Sequence, residues 1–216
     1  MMKTSKWSVL IVTVVFIASL MLLVGSAMLS MQRQTEISCF RYLEEATQQL
    51  ADDLYKTTDM DRTILTAMAS ILASQTDADD ARLCEILQSY GSVSSYVSYT
   101  ELLRPDNTLL DNDGTVRDVS GVLDFSAESA KGAYVSNIEY SSKNPDTRIV
   151  RNAVPVQQNG QTIYMLYGVV VLKDFSEAYT TSIYDGNVYV YLVDGDTGDF
   201  LLDTWHKDFG NMLDFS

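Results

Sequence analysis

The residue types that most often carry catalysis or bind metal ions are sparse in this chain of 216 residues. Its one histidine, His206, has Asp203 and Asp208 nearby, and this group could ligate a metal or serve a Ser-His-Asp triad. The run Asp194–Asp199 places oxygen ligands at alternating positions, as a Ca²⁺ loop does, but glycine is missing from its sixth position and glutamate from its twelfth. Ordinary turn chemistry explains the same residues. We therefore predict no catalytic residue, no metal and no cofactor.

A small-molecule pocket would need polar and aromatic side chains that share one face of a sheet. Alternation along residues 147–157 places Arg151 on the same side as Ile149 and Ala153. A guanidinium offers two parallel donors to a carboxylate, and tyrosines offer aromatic faces and hydroxyl groups. The alternative is that the tyrosines are half-buried sheet residues and the arginine is solvated. The candidate ligand-binding residues are Tyr99, Tyr134, Arg151 and Tyr167.

The first element along the chain is predicted to be a membrane anchor. Trp7–Ser30 contains no Asp, Glu, Lys, Arg, His, Asn or Gln. As a helix it spans about 36 Å, enough to cross a hydrocarbon core of roughly 30 Å. Lys3 and Lys6 precede it, so the positive-inside rule predicts a cytoplasmic tail at 1–6, a transmembrane helix at 7–30 and an extracytoplasmic remainder in the cell membrane. A cleaved signal peptide is the alternative, and it exports the same remainder.

The exported part is strongly acidic. It carries 13 of the 15 Lys and Arg residues and all 29 acids, a formal charge of −16. Such a surface repels nucleic acid and anionic lipid, so we predict no nucleic-acid partner. Two cysteines, Cys39 and Cys84, do not make a disulfide framework. Cys39 could bridge two chains, or both thiols could stay unpaired.

A long extracytoplasmic helix is predicted over residues 31–76, because Pro and Gly are absent up to Gln75. Apolar residues recur at heptad spacing, with polar interruptions at Thr47, Thr57 and Asp61. This stripe fits either a parallel helix pair in a homodimer or one amphipathic helix packed on its own domain. The candidate dimer-helix residues are Phe40, Leu43, Leu50, Leu54, Ile64, Met68 and Ile71.

The remaining sequence predicts an α+β fold with an antiparallel sheet and flanking helices. Helices are predicted from Asp77–Asp80 to Gln88–Tyr90, at Ser126–Lys131 and at Asp174–Tyr184. Strands are predicted at Ser95–Arg104, Thr108–Asp111, Tyr134–Tyr140, Thr147–Gln157, Thr162–Leu172 and Asn187–Val193. Asn159-Gly160 is a strong hairpin signal between the two longest strands.

A short internal sequence repeat suggests that the chain contains the start of the same module twice. Arg104–Asp111 reads RPDNTLLD and Asp196–Asp203 reads DTGDFLLD, and each follows a Tyr-rich strand. We interpret the second copy as the start of another module that is cut short, although two ordinary hairpins could match by chance. The predicted membrane-distal module is then 77–184, and the truncated second module is 185–216.

This arrangement resembles the double Cache sensor domain, which is PAS-like and extracytoplasmic. Arg151–Val156, the following NG and Tyr164–Ser176 are similar to the closing hairpin of such a module. Tyr189–Asn211 is similar to the start of the membrane-proximal module in sensors of bacterial diguanylate cyclases that carry a GGDEF domain. The Arg-x-Trp-Tyr motif of the amino-acid-binding members is missing, which puts an amino-acid ligand in doubt.

The resemblance implies the ligand-sensing portion of a transmembrane signalling receptor. In that family the membrane-distal module binds a small molecule, and a second membrane helix leads to a cytoplasmic output domain, often one that makes cyclic-di-GMP. No GGDEF, EAL or kinase motif occurs in these 216 residues, so the chain as given is not predicted to be an enzyme. The alternative function is a membrane-anchored adhesion or structural domain without signalling output.

Overall fold

A computed structural model describes residues 4–75, 78–90, 96–180, 189–195, 197–203 and 212 of the chain. Its helices are α1 (Thr4–Ala73), α2 (Asp80–Ser89), α3 (Phe125–Lys131) and α4 (Leu172–Thr180). Its strands are β1 (Tyr99–Leu103), β2 (Thr108–Asp111), β3 (Val116–Asp118), β4 (Tyr134–Val135), β5 (Glu139–Tyr140), β6 (Arg148–Gln158), β7 (Gln161–Val171), β8 (Tyr191–Val193) and β9 (Phe200–Asp203). The chain divides into two compact units after Tyr55.

The N-terminal unit consists of the first part of α1, and most of its described large apolar side chains are exposed. The hydroxyl groups of Ser19 and Ser26 donate to the carbonyls of Phe16 and Leu23, at 2.8 and 2.9 Å, so these polar groups are satisfied inside the helix. Among the residues that the structure describes, α1 contains the one stretch long and apolar enough to cross a bilayer.

The second unit is built on an antiparallel sheet in the order β3-β2-β1-β7-β6-β4, with β5 also paired to β6. β6 and β7 form a long hairpin whose turn residues, Asn159 and Gly160, have φ angles of 50° and 79°. Positive φ at both positions defines the type I′ turn that Asn-Gly favours, so the predicted hairpin is confirmed. The fold is therefore the predicted α+β class with a long N-terminal helix.

One face of the sheet is apolar and is covered by helices. Leu65 of α1 and Leu87 of α2 are fully buried with Leu102 and Leu166 of the sheet. Gly168 of β7 makes this approach possible, because a Cβ atom there would lie 2.8 Å from Leu65 Cδ1. Burying one leucine contributes about 1.5–3 kcal/mol, so this face carries much of the fold's stability.

The opposite face has a smaller apolar cluster that α3 and the loop before it cover. Leu103, Ile149, Met165 and Val169 are buried there, with Phe125 of α3 packed against them. Asp124 caps α3 by accepting the backbone N–H of Ala127 at 2.8 Å. Helices therefore lie on both faces of the sheet.

The segment 132–147, which joins α3 to β6, differs from the prediction that Tyr134–Tyr140 is a single strand. It forms two short strands, and the three residues between them lie opposite only two residues of β6. Ser136 bridges the interruption: its backbone N–H donates to the Arg151 carbonyl at 2.8 Å, and its hydroxyl oxygen accepts the Arg151 N–H at 2.9 Å. The strand β3 was not predicted, since its three residues are too few to show a pattern.

The predicted dimer stripe divides between exposed and core positions. Met68 is 5% exposed and belongs to the apolar core, and Ile64 packs against that core. For these two residues the alternative interpretation applies, in which the helix packs on its own domain. Phe40, Leu43 and Ile71 are exposed, while Leu50 and Leu54 are partly exposed.

The two LLD triplets both lie on the second strand of an antiparallel hairpin. In the first hairpin Leu102 pairs with Leu110, and in the second Leu192 pairs with Leu202. The final aspartate of each triplet is buried, as are most residues of both triplets. The division into two modules remains a prediction.

Candidate ligand-binding site

Several charged side chains of the second unit lie together on the sheet face opposite α1. Glu101 lies in the middle of β1, where it is paired with Asp111 of β2 on one side and with Tyr167 of β7 on the other. Paired residues of an antiparallel sheet point to the same face, so these three side chains form one row. Arg151 of β6 lies on this face too, and all four residues are fully buried.

Arg117 of β3 bridges the two buried carboxylates. Its Nη1 lies 2.5 Å from Asp111 Oδ2, and its Nη2 lies 2.9 Å from Glu101 Oε1. Lys143 extends the network, with Nζ 3.3 Å from Asp111 and 2.6 Å from Asp113. Burial raises the pKa of Glu101, while the neighbouring charges of Arg151 and Arg117 act in the opposite direction.

Arg151 is the most unusual member of this cluster. Its Nη1 donates to a carboxylate oxygen of Glu139, its Nε lies 3.6 Å from Glu101 Oε2, and its guanidinium carbon lies 5.7 Å from the centre of the Tyr167 ring. Arg151 Nε and Nη2 have no hydrogen-bond partner among the described residues. A buried donor without a partner costs roughly 1–3 kcal/mol, so this guanidinium has unused capacity to bind an anion.

Two of the predicted tyrosines have partners that the sequence did not reveal. The hydroxyl groups of Tyr134 and Tyr167 both donate to the buried carboxylate of Glu128, which also accepts from Lys131 Nζ at 2.7 Å. Burial and the adjacent carboxylate raise the pKa of both tyrosines well above the usual range. These contacts fasten α3 to the sheet, so part of the predicted pocket lining has a structural role.

The third predicted tyrosine lies at the edge of the cluster. The Tyr99 hydroxyl group shares a hydrogen bond of 3.1 Å with Ser141 Oγ, and the Lys143 ammonium lies 5.6 Å from the centre of the Tyr99 ring. All four predicted ligand residues thus lie on one face of the sheet. Their role in binding a ligand stays a prediction.

Sequence reasoning missed the acidic members of the cluster and Arg117. Of these residues, Glu101 was the easiest to predict from the sequence. It alternates with Tyr99 and Leu103 on a strand where an inward position normally holds an apolar residue. A charged residue at such a position is a signal of a polar site. Arg117 and Glu139 lie on very short strands, whose facing direction no local pattern reveals.

Two other features are less suited to bind a ligand. A surface cavity of about 440 Å³ beside α2 is lined by Asp80, Ala81, Cys84, Glu85, Gln88 and Gly114. Within it, the Cys84 thiol already donates to the Asn112 carbonyl at 2.9 Å.

In the part of the chain that the structure describes, no three His, Cys, Asp or Glu side chains are grouped to hold a metal ion. His206 and Asp208 lie outside the described residues.

Several solved structures are similar in fold to this chain. The chain is similar to the ligand-binding domain of the Pseudomonas aeruginosa PAO1 amino-acid chemoreceptor PctC in complex with GABA, with TM-score 0.62, 17% identity, and coverage of 81% of this chain and 80% of that one. It is also similar to a protein described as methyl-accepting chemotaxis protein X, with TM-score 0.61, 14% identity, and coverage of 78% and 75%.

A third similar structure is the ligand-binding domain of the Pseudomonas fluorescens chemoreceptor CtaA in complex with L-serine, with TM-score 0.56, 16% identity, and coverage of 75% and 70%. No family model and no curated protein sequence matches the chain. At these identities the similarity establishes the fold alone. The chain therefore has the fold of the ligand-binding domains of these chemoreceptors.

Proposed function

We propose that this chain is the extracytoplasmic ligand-sensing portion of a transmembrane signalling receptor, and that its ligand binds at the charged face of the sheet. The observation that carries the proposal is Arg151, a fully buried guanidinium with two nitrogen atoms that lack hydrogen-bond partners among the described residues. A cation of this kind is costly to keep in a core for stability alone. It is well suited to hold a ligand carboxylate between a carboxylate network and tyrosine rings.

The proposal includes the membrane and the output. The apolar part of α1 anchors the chain in the cell membrane with the N-terminus in the cytoplasm, because Lys3 and Lys6 precede it. A homodimer forms along the exposed part of the α1 stripe, at Phe40, Leu43, Leu50, Leu54 and Ile71. The output is a cytoplasmic domain of the diguanylate cyclase type, which the resemblance of Tyr189–Asn211 to cyclase sensors supports. Ligand binding would act by favouring one arrangement of the sheet and α1.

The test is thermal unfolding of the full chain in detergent micelles with single added compounds. We would use GABA, L-serine and asparagine, which similar domains hold, together with small mono- and dicarboxylates. A binding compound raises the free energy of unfolding by about 1.4 kcal/mol at ten times its Kd, so the unfolding temperature rises with its concentration.

The matched variants are Arg151→Lys and Arg148→Lys. Both keep the positive charge and lose the planar pair of donors, but Arg148 alternates to the other side of β6. Arg151→Lys should abolish the ligand-dependent shift, while Arg148→Lys should keep it. A shift that survives Arg151→Lys contradicts the proposed site, and a chain that responds to no compound contradicts the sensing function.

A further inference from the structure

Glu139 occupies the one corner of the Arg151 guanidinium that is used for a hydrogen bond. Its carboxylate accepts from Nη1, whereas Nη2 and Nε have no hydrogen-bond partner among the described residues. A guanidinium and a carboxylate bind most strongly through two parallel bonds. The Glu139 carboxylate accepts only one hydrogen bond, so Arg151 does not form the stronger arrangement with two parallel bonds.

Glu139 also differs from the other acid next to Arg151. The Glu101 side chain is fully buried and is held by Arg117 at 2.9 Å, and its Oε2 lies 3.6 Å from Arg151 Nε. The Glu139 side chain is 29% exposed. Glu139 can turn toward water without leaving a carboxylate desolvated, while Glu101 cannot.

The segment that presents Glu139 is weakly attached to the sheet. β5 pairs with β6 through two residues, Glu139 opposite Ile149 and Tyr140 opposite Arg148. Beyond β5, polar contacts hold the segment, among them Tyr99 to Ser141 at 3.1 Å and Lys143 to Asp113 at 2.6 Å. Such contacts at a partly exposed site contribute little each, so the segment can move at low cost.

We propose that Glu139 is a built-in competitor for the ligand: its carboxylate holds Arg151 until a ligand carboxylate with two-bond geometry displaces it and releases the part of the segment that follows Ser136, residues 137–147. This inference rests on the proposed function, because it concerns the same site. It makes the ligand an anion that bears a carboxylate, and it makes Glu139 the residue that sets how tightly such a ligand binds. Binding then has a structural consequence, since displacement of Glu139 frees the β5 contact.

The test is rescue of a truncated side chain by acetate. Glu139→Ala removes the competing carboxylate from the full chain and leaves the guanidinium beside it. We expect acetate to raise the unfolding temperature of this variant by roughly 3–6 °C at ten times its Kd, and to affect the unsubstituted chain less at the same concentration. Acetamide is the neutral control, and sodium chloride at equal ionic strength controls for screening.

Glu177→Ala is the matched variant, since it removes an exposed glutamate from α4. If Glu139→Ala does not fold, Glu139→Gln replaces it, and acetate should again stabilise the variant more than the unsubstituted chain. Equal effects of acetate on Glu139→Ala, Glu177→Ala and the unsubstituted chain would overturn the inference, as would equal effects of acetate and acetamide on Glu139→Ala.

Cleavage by trypsin after Lys143 gives a second measurement, because this residue lies in the segment that the Glu139 contact holds. Cleavage should be faster in Glu139→Ala than in Glu177→Ala, and acetate should not slow it to the unsubstituted rate. The two proposals fail separately. Rescue by acetate without any response of the unsubstituted chain to the compound panel supports the competitor and contradicts the sensor. A panel compound that binds equally well to Glu139→Gln and to the unsubstituted chain supports the sensor and contradicts the competitor.

Discussion

The two faces of the central sheet use opposite chemistry at neighbouring residues of the same strands. In β7, Tyr167 faces the charged cluster, while Gly168 next to it receives Leu65 of α1 on the apolar face. In β1, Glu101 faces the charges and Leu102 lies in the apolar core. Burial of apolar groups stabilises without a preferred partner, whereas each buried charge depends on one particular partner. The apolar face thus serves stability, and the charged face is suited to rearrangement and recognition.

The largest expected effect comes from removing one partner on the charged face. Arg117→Gln leaves Glu101 and Asp111 as neighbouring buried acids without their bridging cation. We expect a loss of roughly 3–5 kcal/mol in the free energy of unfolding at neutral pH. Arg82→Gln is the control, since the Arg82–Glu85 pair is exposed and its loss should cost about 1 kcal/mol or less. Chemical denaturation in detergent micelles measures both, and equal losses would show that burial does not make the charged cluster depend on Arg117.

The same variant should also respond to pH. Burial raises the pKa of Glu101 in the folded chain, so protonation of Glu101 favours folding at low pH and this contribution disappears as pH rises through the folded pKa. Loss of the Arg117 charge raises that pKa further. The loss in the free energy of unfolding caused by Arg117→Gln should therefore be larger at pH 8 than at pH 5. A deficit that grows as the pH falls would contradict this assignment.

A truncation on the apolar face comes next. Leu65→Ala leaves a cavity between α1 and β7, and we expect it to cost about 2–5 kcal/mol. Met60→Ala on the same helix is the control, because Met60 is 47% exposed and its loss should cost much less. Unlike Arg117→Gln, Leu65→Ala should show the same deficit at pH 5 and pH 8. Unfolding at both pH values provides the comparison.

A smaller effect is expected from adding an atom to the apolar face. Gly168→Ala introduces a Cβ that would lie 2.8 Å from Leu65 Cδ1, and this overpacking should cost about 1–3 kcal/mol. The double variant Leu65→Ala/Gly168→Ala should lose less than the sum of the two single losses, since the truncated side chain makes room for the new methyl group. Additive losses would show that the two residues do not press on each other.

The smallest effect is expected where the charged face meets α3. Tyr134→Phe keeps the ring and removes the hydroxyl group that donates to Glu128, which should cost about 0.5–1.5 kcal/mol. Tyr140→Phe is the matched control on an exposed tyrosine of the same segment, and it should be nearly neutral. If the two substitutions have the same effect, the Glu128 contact does not help to hold α3 on the sheet.

The parts of the fold that could be predicted are those with local signals. Asn159-Gly160 favours a turn with positive φ at both positions, and the strands on either side of it are eleven residues long. Alternation also placed Arg151 on the correct face with Ile149 and Ala153. Strands of two or three residues, such as β3 and β5, have no period to read, so their charged residues could not be assigned to the cluster.

The partner of each charge was also beyond prediction. Glu101 and Arg117 meet because β2 lies between their strands, and Glu139 reaches Arg151 because the chain between β4 and β5 is interrupted at Ser136. Both depend on tertiary pairing rather than on local sequence. In α1, heptad spacing alone could not separate Met68, which faces the chain's own core, from exposed Phe40.

The position of β7 between β6 and β1 has a consequence for the order of folding. Arg151 and Val169 are paired within one hairpin, so a short loop closes before they meet, and isolated hairpins form in about 1–10 μs. Glu101 and Tyr167 are paired across 66 residues of chain, so we expect docking of β1 to be the slower step. Arg151 and Tyr167 therefore come together early, whereas Glu101, Asp111 and Arg117 join them only when β1 docks. The charged cluster is completed late in folding, and its assembly would report, in a kinetic experiment, that the whole sheet has closed.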